Sequence, residues 1–155
     1  MKAKLFILGL IISSPVKRLY KHESIIYTDF VIMALRTRIK EISAYITRDG
    51  SEIKELMHPA TQGNMAQSLA EATVQQGQQT HLHQHHNSEE LYYITNGKGY
   101  MTLGKEQFEV AAGDTICIPP GTPHCIKNIG TEALRILCMC SPAYSHEDTE
   151  LLEQH

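Results

Sequence analysis

Short segments that alternate apolar and polar residues run along most of the chain, separated by turns rich in glycine, proline and asparagine. Alternation with a period of two is typical of β-strands that bury one face. It predicts eight strands, at 67–74, 80–86, 90–95, 99–103, 106–110, 114–118, 124–128 and 133–140. Short strands at this spacing, with no helical period between them, predict an all-β sandwich or closed barrel.

The segments on either side of this region predict a few more elements. Residues 34–41 read as a weak helix or lead-in, and 42–47 and 52–57 alternate as strands around the turn sequence Arg48-Asp49-Gly50-Ser51. Near the other end, Ser145-His146-Glu147-Asp148 matches a capping box. We therefore expect a short C-terminal helix.

The first 32 residues differ from the rest. An apolar stretch, Leu5 to Ile12, follows two lysines and resembles the core of an export signal, but no small-x-small cleavage site follows it. It is also too short to span a bilayer as a helix. We expect residues 1–32 to be a poorly defined extension outside the folded unit, and 33–155 to be one domain with its core barrel at about 65–140. A genuine export or membrane signal is the alternative.

The composition limits which kinds of partner and which cellular compartment we expect. The 155 residues include 14 basic and 17 acidic side chains, for a net charge of -3, and no basic stripe. We therefore expect neither a nucleic-acid nor a membrane partner. The four cysteines, at 117, 125, 138 and 140, show no C-x-x-C spacing. They read as reduced thiols, which predicts a cytoplasmic protein.

Four of the nine histidines fall in the sequence HLHQHH, followed closely by two glutamates. On a strand, residues two apart point to the same face, so His83 and His85 share a face that His81 also joins. Asn-Ser then suits a tight turn, after which Glu89 or Glu90 can bring a carboxylate to the imidazoles. This spacing is typical of metal ligands in a β-protein.

A second candidate ligand lies downstream, in the sequence GDTICIPPGTPHCIKN. It carries His124 at the start of a predicted strand, just after the rigid turn Pro119-Pro120-Gly121. A solvated histidine-rich turn would explain the first cluster but not this one. Three imidazoles and one carboxylate suit a divalent ion of iron, manganese, zinc, nickel or copper. A closed, purely structural metal site is the alternative.

These two segments resemble the two motifs of the cupins, over about 50 residues closely and over roughly 65–140 by strand pattern. The first motif matches Gly77, His83, His85, Glu90 and Gly97. The second matches Gly113, Pro119, Gly121, His124 and Asn128. The resemblance implies a double-stranded β-helix, or jelly-roll barrel. It favours Glu90 over Glu89, and it implies a metal held by His83, His85, Glu90 and His124.

The resemblance also limits the function. Small cupins include isomerases, dioxygenases, lyases and sugar-binding modules, so the fold alone does not decide. We expect a small metalloenzyme of isomerase, lyase or dioxygenase type that acts on a small oxygen-rich metabolite inside the barrel. The alternative is a non-catalytic, metal-dependent module that binds a small sugar-like ligand. A homodimer is a family-level expectation.

Strand parity predicts the character of the interior. It places Leu134, Ile136, Cys138 and Cys140 on one face, so the pocket should have aliphatic walls and one polar, metal-bearing end. Lys127 should point outward, and no phosphate-binding loop is evident. An uncharged or carboxylated ligand is therefore favoured over a phosphosugar.

Overall fold

The computed structural model describes residues 34–153, which form eleven strands and one short 3-10 turn at Ile39–Glu41. The strands are β1 (Tyr45–Ile46), β2 (Glu52–Met57), β3 (Ser68–Val74), β4 (His83–His85), β5 (Glu89–Asn96), β6 (Lys98–Leu103), β7 (Glu106–Ala111), β8 (Thr115–Ile118), β9 (His124–Asn128), β10 (Leu134–Ser141) and β11 (Thr149–Leu151). No helix in this part of the chain is long and apolar enough to cross a membrane. The predicted extension over residues 1–32 lies outside the described residues.

The strands form two antiparallel sheets. One has six strands in the order β1-β2-β3-β10-β5-β8, and the other has five in the order β11-β4-β9-β6-β7. Strands that follow each other in sequence often lie in different sheets, as β4 and β5 do. The predicted all-β, double-stranded β-helix is confirmed.

The core lies between the two sheets and follows the predicted alternation. In β10, residues 134, 136, 138 and 140 are buried while their neighbours are less so. Six apolar side chains are almost completely buried: Ile94, Met101, Ile118, Ile126, Leu134 and Ile136. Both sheets contribute to this set, so removing their side chains from water holds the sheets together.

Two residues of the predicted motifs, Gly97 and Asn128, support the fold and are not candidate metal ligands. Gly97 turns the chain from β5 to β6 with φ of +87°, and a Cβ there would lie 3.0 Å from the Cα of Leu134. Asn128 is buried, and its side-chain amide donates to the carbonyl oxygens of Val74 and Glu132, at 2.9 and 2.7 Å. The first contact ties the end of β9 to β3, and the second closes the connection from β9 to β10.

The predicted C-terminal helix is wrong. Residues 146–148 form a turn, and the chain then continues as β11, which pairs with β4. The Ser145 hydroxyl does accept a hydrogen bond from the Asp148 backbone N–H, at 3.1 Å, as in a capping box. However, the Asp148 carboxylate accepts from the backbone N–H groups of Asn87 and Ser88, at 2.9 and 3.0 Å. Pairing with a distant strand therefore overrides the local helix signal.

Candidate metal centre

The four predicted ligand residues converge inside the barrel. One potential ligand atom from each of them lies within 4.8 Å of the others, and all four side chains are buried. The three histidines come from β4 and β9 of the five-stranded sheet, where His83 pairs in register with His124. Glu90 comes from β5 of the six-stranded sheet. The cluster therefore joins the two sheets across the interior.

The turn before β9 holds the second cupin-like motif in a fixed position relative to the first. Gly121 has φ of +71°, a conformation that favours glycine, and its backbone N–H donates to the carbonyl oxygen of His85 at 2.7 Å. The neighbouring prolines limit the conformations of this turn. As a result, His124 begins its strand at a fixed position relative to β4.

Hydrogen bonds orient two of the imidazoles in the same way. The Nδ1–H of His83 donates to the carbonyl oxygen of His81, and that of His124 donates to the carbonyl oxygen of Thr122, both at 2.9 Å. A carbonyl only accepts, so each Nδ1 carries the hydrogen and each Nε2 keeps a lone pair. Histidines that bind metals are oriented by such partners.

The third imidazole is oriented by a hydroxyl. The Thr149 hydroxyl donates to the carbonyl oxygen of Ser145 at 2.8 Å, so its oxygen is free to accept from the Nδ1–H of His85, 3.1 Å away. The Nε2 of His85 is then also left as the inward-facing atom. All three rings therefore present the nitrogen that a metal would bind.

The carboxylate completes the set. Glu90 Oε2 lies 3.2 Å from His85 Nε2 and 3.3 Å from His124 Nε2. His124 is 0% exposed, and within residues 34–153 its Nε2 has no partner that meets hydrogen-bond geometry, despite that short distance. Glu90 Oε1 accepts from the Cys140 thiol at 3.5 Å. A buried nitrogen lone pair without a donor, beside a carboxylate and two more imidazoles, fits a divalent transition-metal ion.

The protonation states of the cluster residues are compatible with binding of a divalent metal ion. Burial raises the pKa of Glu90, but the adjacent His124 and His85 rings outweigh it and lower the pKa to about 2. Burial and the neighbouring His124 lower the pKa of His83 to about 4. Burial also lowers the pKa of His85, but Glu90 outweighs it and raises that pKa. At neutral pH the carboxylate is therefore ionised and His83 is neutral, the forms that bind metals.

The other polar residues of the histidine-rich segment do not join the cluster. His81 is exposed, and exposed His86 places its Nε2 3.5 Å from a carboxylate oxygen of Glu150. Glu89 is exposed, while Glu90 is buried on the opposite face of β5. Of the two glutamates, Glu90 therefore lies in the cluster and Glu89 lies outside it.

A cavity of about 670 Å³, including its open mouth, extends from the cluster. Its polar lining includes residues that the sequence analysis assigned no role, namely Tyr45, Thr47, Asp49, Ser51, Glu55, Ser68, Tyr144 and Thr149. Its apolar lining includes Ile53, Ala70, Ala72, Val74, Ile126 and Ile136. The sequence carried no signal for the polar set beyond a turn at 48–51 and the capping-box match.

Comparison with known proteins agrees with this architecture. The family model for the cupin domain matches residues 70–140. An uncharacterized protein of Methanocaldococcus jannaschii, MJ1618, is 57% identical over 119 residues, covering 77% of this chain and 95% of that protein. The chain belongs to the cupin family.

Two further proteins resemble this cupin. The polyketide synthase CurC of Streptomyces cyaneus is 30% identical over 117 residues, covering 72% of this chain and 75% of CurC. The structure of the polyketide cyclase RemF from Streptomyces resistomycificus superposes with a TM-score of 0.67 at 22% identity, covering 79% of this chain and 88% of RemF. The RemF match supports the fold alone.

Proposed function

We propose that this cupin is a divalent-metal-dependent enzyme that acts on a small oxygen-rich metabolite bound in the barrel cavity. The observation that carries the proposal is the orientation of three Nε2 atoms toward one carboxylate beside that cavity. In this proposal the ion is held by His83, His85, Glu90 and His124.

The chain's own residues give the cavity its chemistry. When bound, a divalent ion of this kind supplies Lewis-acid polarisation of a ligand oxygen. Burial and the nearby Glu55 carboxylate raise the pKa of Tyr45 to about 12, and burial raises the pKa of Tyr144. Both phenols therefore keep their protons at neutral pH and can donate to ligand oxygens, while the aliphatic wall limits water.

The reaction class within this proposal is isomerase, lyase or dioxygenase. Iron or copper would favour dioxygenase chemistry, because these ions activate oxygen, whereas manganese, zinc or nickel would favour isomerase or lyase chemistry. The relative CurC is named a polyketide synthase, and polyketides carry many carbonyl and hydroxyl groups. This likeness supports an oxygen-rich class of substrate.

Elemental analysis of protein purified without added metal tests the proposal together with a His124→Ala variant. We expect one divalent ion per wild-type chain, and a folded variant that loses both the ion and turnover. His81→Ala is the matched control, because His81 is exposed and outside the cluster. A His124→Ala protein that keeps a full complement of metal would refute the assignment. Tight metabolite binding without product would favour the binding module.

Two predictions of assembly and location accompany the proposal. Sedimentation velocity of the purified chain tests the homodimer. Fractionation of cells that express the full chain tests the cytoplasmic location.

A further inference from the structure

The charged groups that line the cavity share one sign. Besides Glu90 they are Asp49 and Glu55, and none of the described lining residues is a lysine or an arginine. Arg48, next to Asp49, donates instead to the backbone oxygens of His146 and Thr149, at 2.9 and 3.3 Å. Apart from the proposed metal ion and its ligands, an anionic ligand would therefore meet two further carboxylates and, among the described lining residues, no lysine or arginine.

Asp49 stands out because it is a buried carboxylate with one free oxygen. Its side chain lies in the turn between β1 and β2, and the residue is 8% exposed. Oδ1 accepts hydrogen bonds from the backbone N–H and the hydroxyl of Ser51, at 3.0 and 2.8 Å. Within residues 34–153, Oδ2 has no hydrogen-bond partner and the carboxylate has no ion pair. Such a group lining a cavity is available to a ligand.

The turn that carries Asp49 is held in place. The Asp49 carbonyl oxygen accepts from the backbone N–H of His81 at 2.6 Å, and the Gly50 N–H donates to the carbonyl oxygen of Thr47 at 3.0 Å. The first bond ties the turn to the segment that leads into His83. The carboxylate therefore has a fixed position relative to the histidine cluster.

Hydroxyl groups also line the cavity. Thr47 and Tyr144 place their hydroxyl oxygens 3.0 Å apart, and Tyr45, Ser51 and Ser68 add three more. Hydroxyls both donate and accept, and a carboxylate accepts strongly from a ligand O–H. This lining matches hydroxyl and carbonyl groups better than it matches a carboxylate or a phosphate.

We infer that the ligand of this cavity is uncharged and carries hydroxyl groups, and that Asp49 Oδ2 accepts a hydrogen bond from one of those hydroxyls. The inference rests on the proposed function in taking the same cavity as the ligand site. It narrows that proposal by excluding carboxylated and phosphorylated ligands, and it assigns a specificity residue outside the metal cluster.

Two small probes of nearly equal shape test the inference on the cobalt(II)-loaded protein. Hydroxyacetone and glycolate share a hydroxymethyl group beside a carbonyl and differ in a methyl group against an anionic oxygen. The affinity of each is measured from the change in the visible cobalt spectrum. In Asp49→Asn we expect weaker hydroxyacetone binding and stronger glycolate binding, with a combined shift in their ratio of at least about tenfold. General damage to the site would weaken both probes instead.

Two further variants complete the test. Glu109→Gln removes an exposed carboxylate outside the cavity and should leave the ratio unchanged. Glu55→Gln, at a half-buried lining position, should shift the ratio in the same direction as Asp49→Asn, and it serves as the test if Asp49→Asn does not fold. A ratio that moves by less than about twofold in the folded variants would overturn the inference.

Azide separates this outcome from failure of the proposed function. Azide binds cobalt directly and needs no contact with Asp49. A wild-type protein that neither binds cobalt nor responds to azide refutes the metal site itself. A normal azide response with an unchanged probe ratio refutes only the role of Asp49 and the uncharged ligand class.

Discussion

Replacing Thr149 by valine tests how strongly the last strand supports the metal centre. Thr149 lies in β11, is 5% exposed, and accepts from the Nδ1–H of His85 while donating to the Ser145 carbonyl. Valine keeps the shape of the side chain and removes only its hydrogen-bonding atom. The buried Nδ1–H of His85 then has no acceptor.

The expected losses of stability and of metal affinity follow from the two hydrogen bonds that the substitution removes. An unpaired buried donor costs about 1–3 kcal/mol, so we expect the metal-free protein to lose about that much stability. The imidazole also loses the contact that sets its tautomer and its direction. Removing such a partner typically lowers metal affinity by about 10–100-fold.

Competition between the protein and a coloured chelator for zinc measures the affinity, and denaturant unfolding of the metal-free protein measures the stability. Thr149→Ser is the matched control, because it keeps the hydroxyl and removes one methyl group. If Thr149→Val binds zinc within about threefold of wild type, or if Thr149→Ser weakens binding as much, the proposed support of His85 is wrong.

Three other predictions concern the histidine cluster and the packing of the barrel. Cys140→Ala removes the thiol that donates to Glu90 Oε1, so zinc affinity should fall in the same competition assay, and Cys140→Ser should recover most of it. Gly99→Ala should lower the free energy of unfolding by about 1–3 kcal/mol in denaturant, because its Cβ would lie 2.9–3.0 Å from two buried aliphatic side chains. Glu90 raises the pKa of His85, so below that pKa a zinc ion must displace a proton from the His85 imidazole. Zinc affinity should therefore fall by up to about tenfold per pH unit. Measurements of zinc affinity between about pH 8 and pH 5 check this.

The strand pattern was predictable because it depends on local alternation. The segments predicted at 52–57 and 124–128 coincide with β2 and β9, and the other core strands differ by a few residues at their ends. Each strand buries one face, so its own sequence records which residues face inward. The convergence of the two motifs is not a local property, and it was expected from the resemblance to the cupins.

The C-terminal helix failed because the deciding interaction is not local. The capping-box match is real at Ser145, whose hydroxyl accepts from the Asp148 backbone. What the sequence does not record is that the edge of β4 accepts a further strand and that the turn after β4 takes the Asp148 carboxylate. Short helix signals are weak against a full ladder of strand hydrogen bonds.

Asp49 and Thr149, to which the sequence analysis assigned no functional role, come from outside the predicted core barrel of 65–140. Asp49 reaches the cavity because β2 joins β3 in the six-stranded sheet, and Thr149 reaches His85 because β11 joins β4 in the other sheet. A strand's alternation identifies its buried face but not the edge to which it will pair, so such residues escape a sequence pattern. The motifs therefore place the proposed metal ligands, while the added edge strands place Thr149, which orients His85, and Asp49, the proposed contact to the ligand. If this division is correct, substitutions in 45–51 should change ligand preference with little effect on metal affinity, and substitutions at 149 should do the reverse.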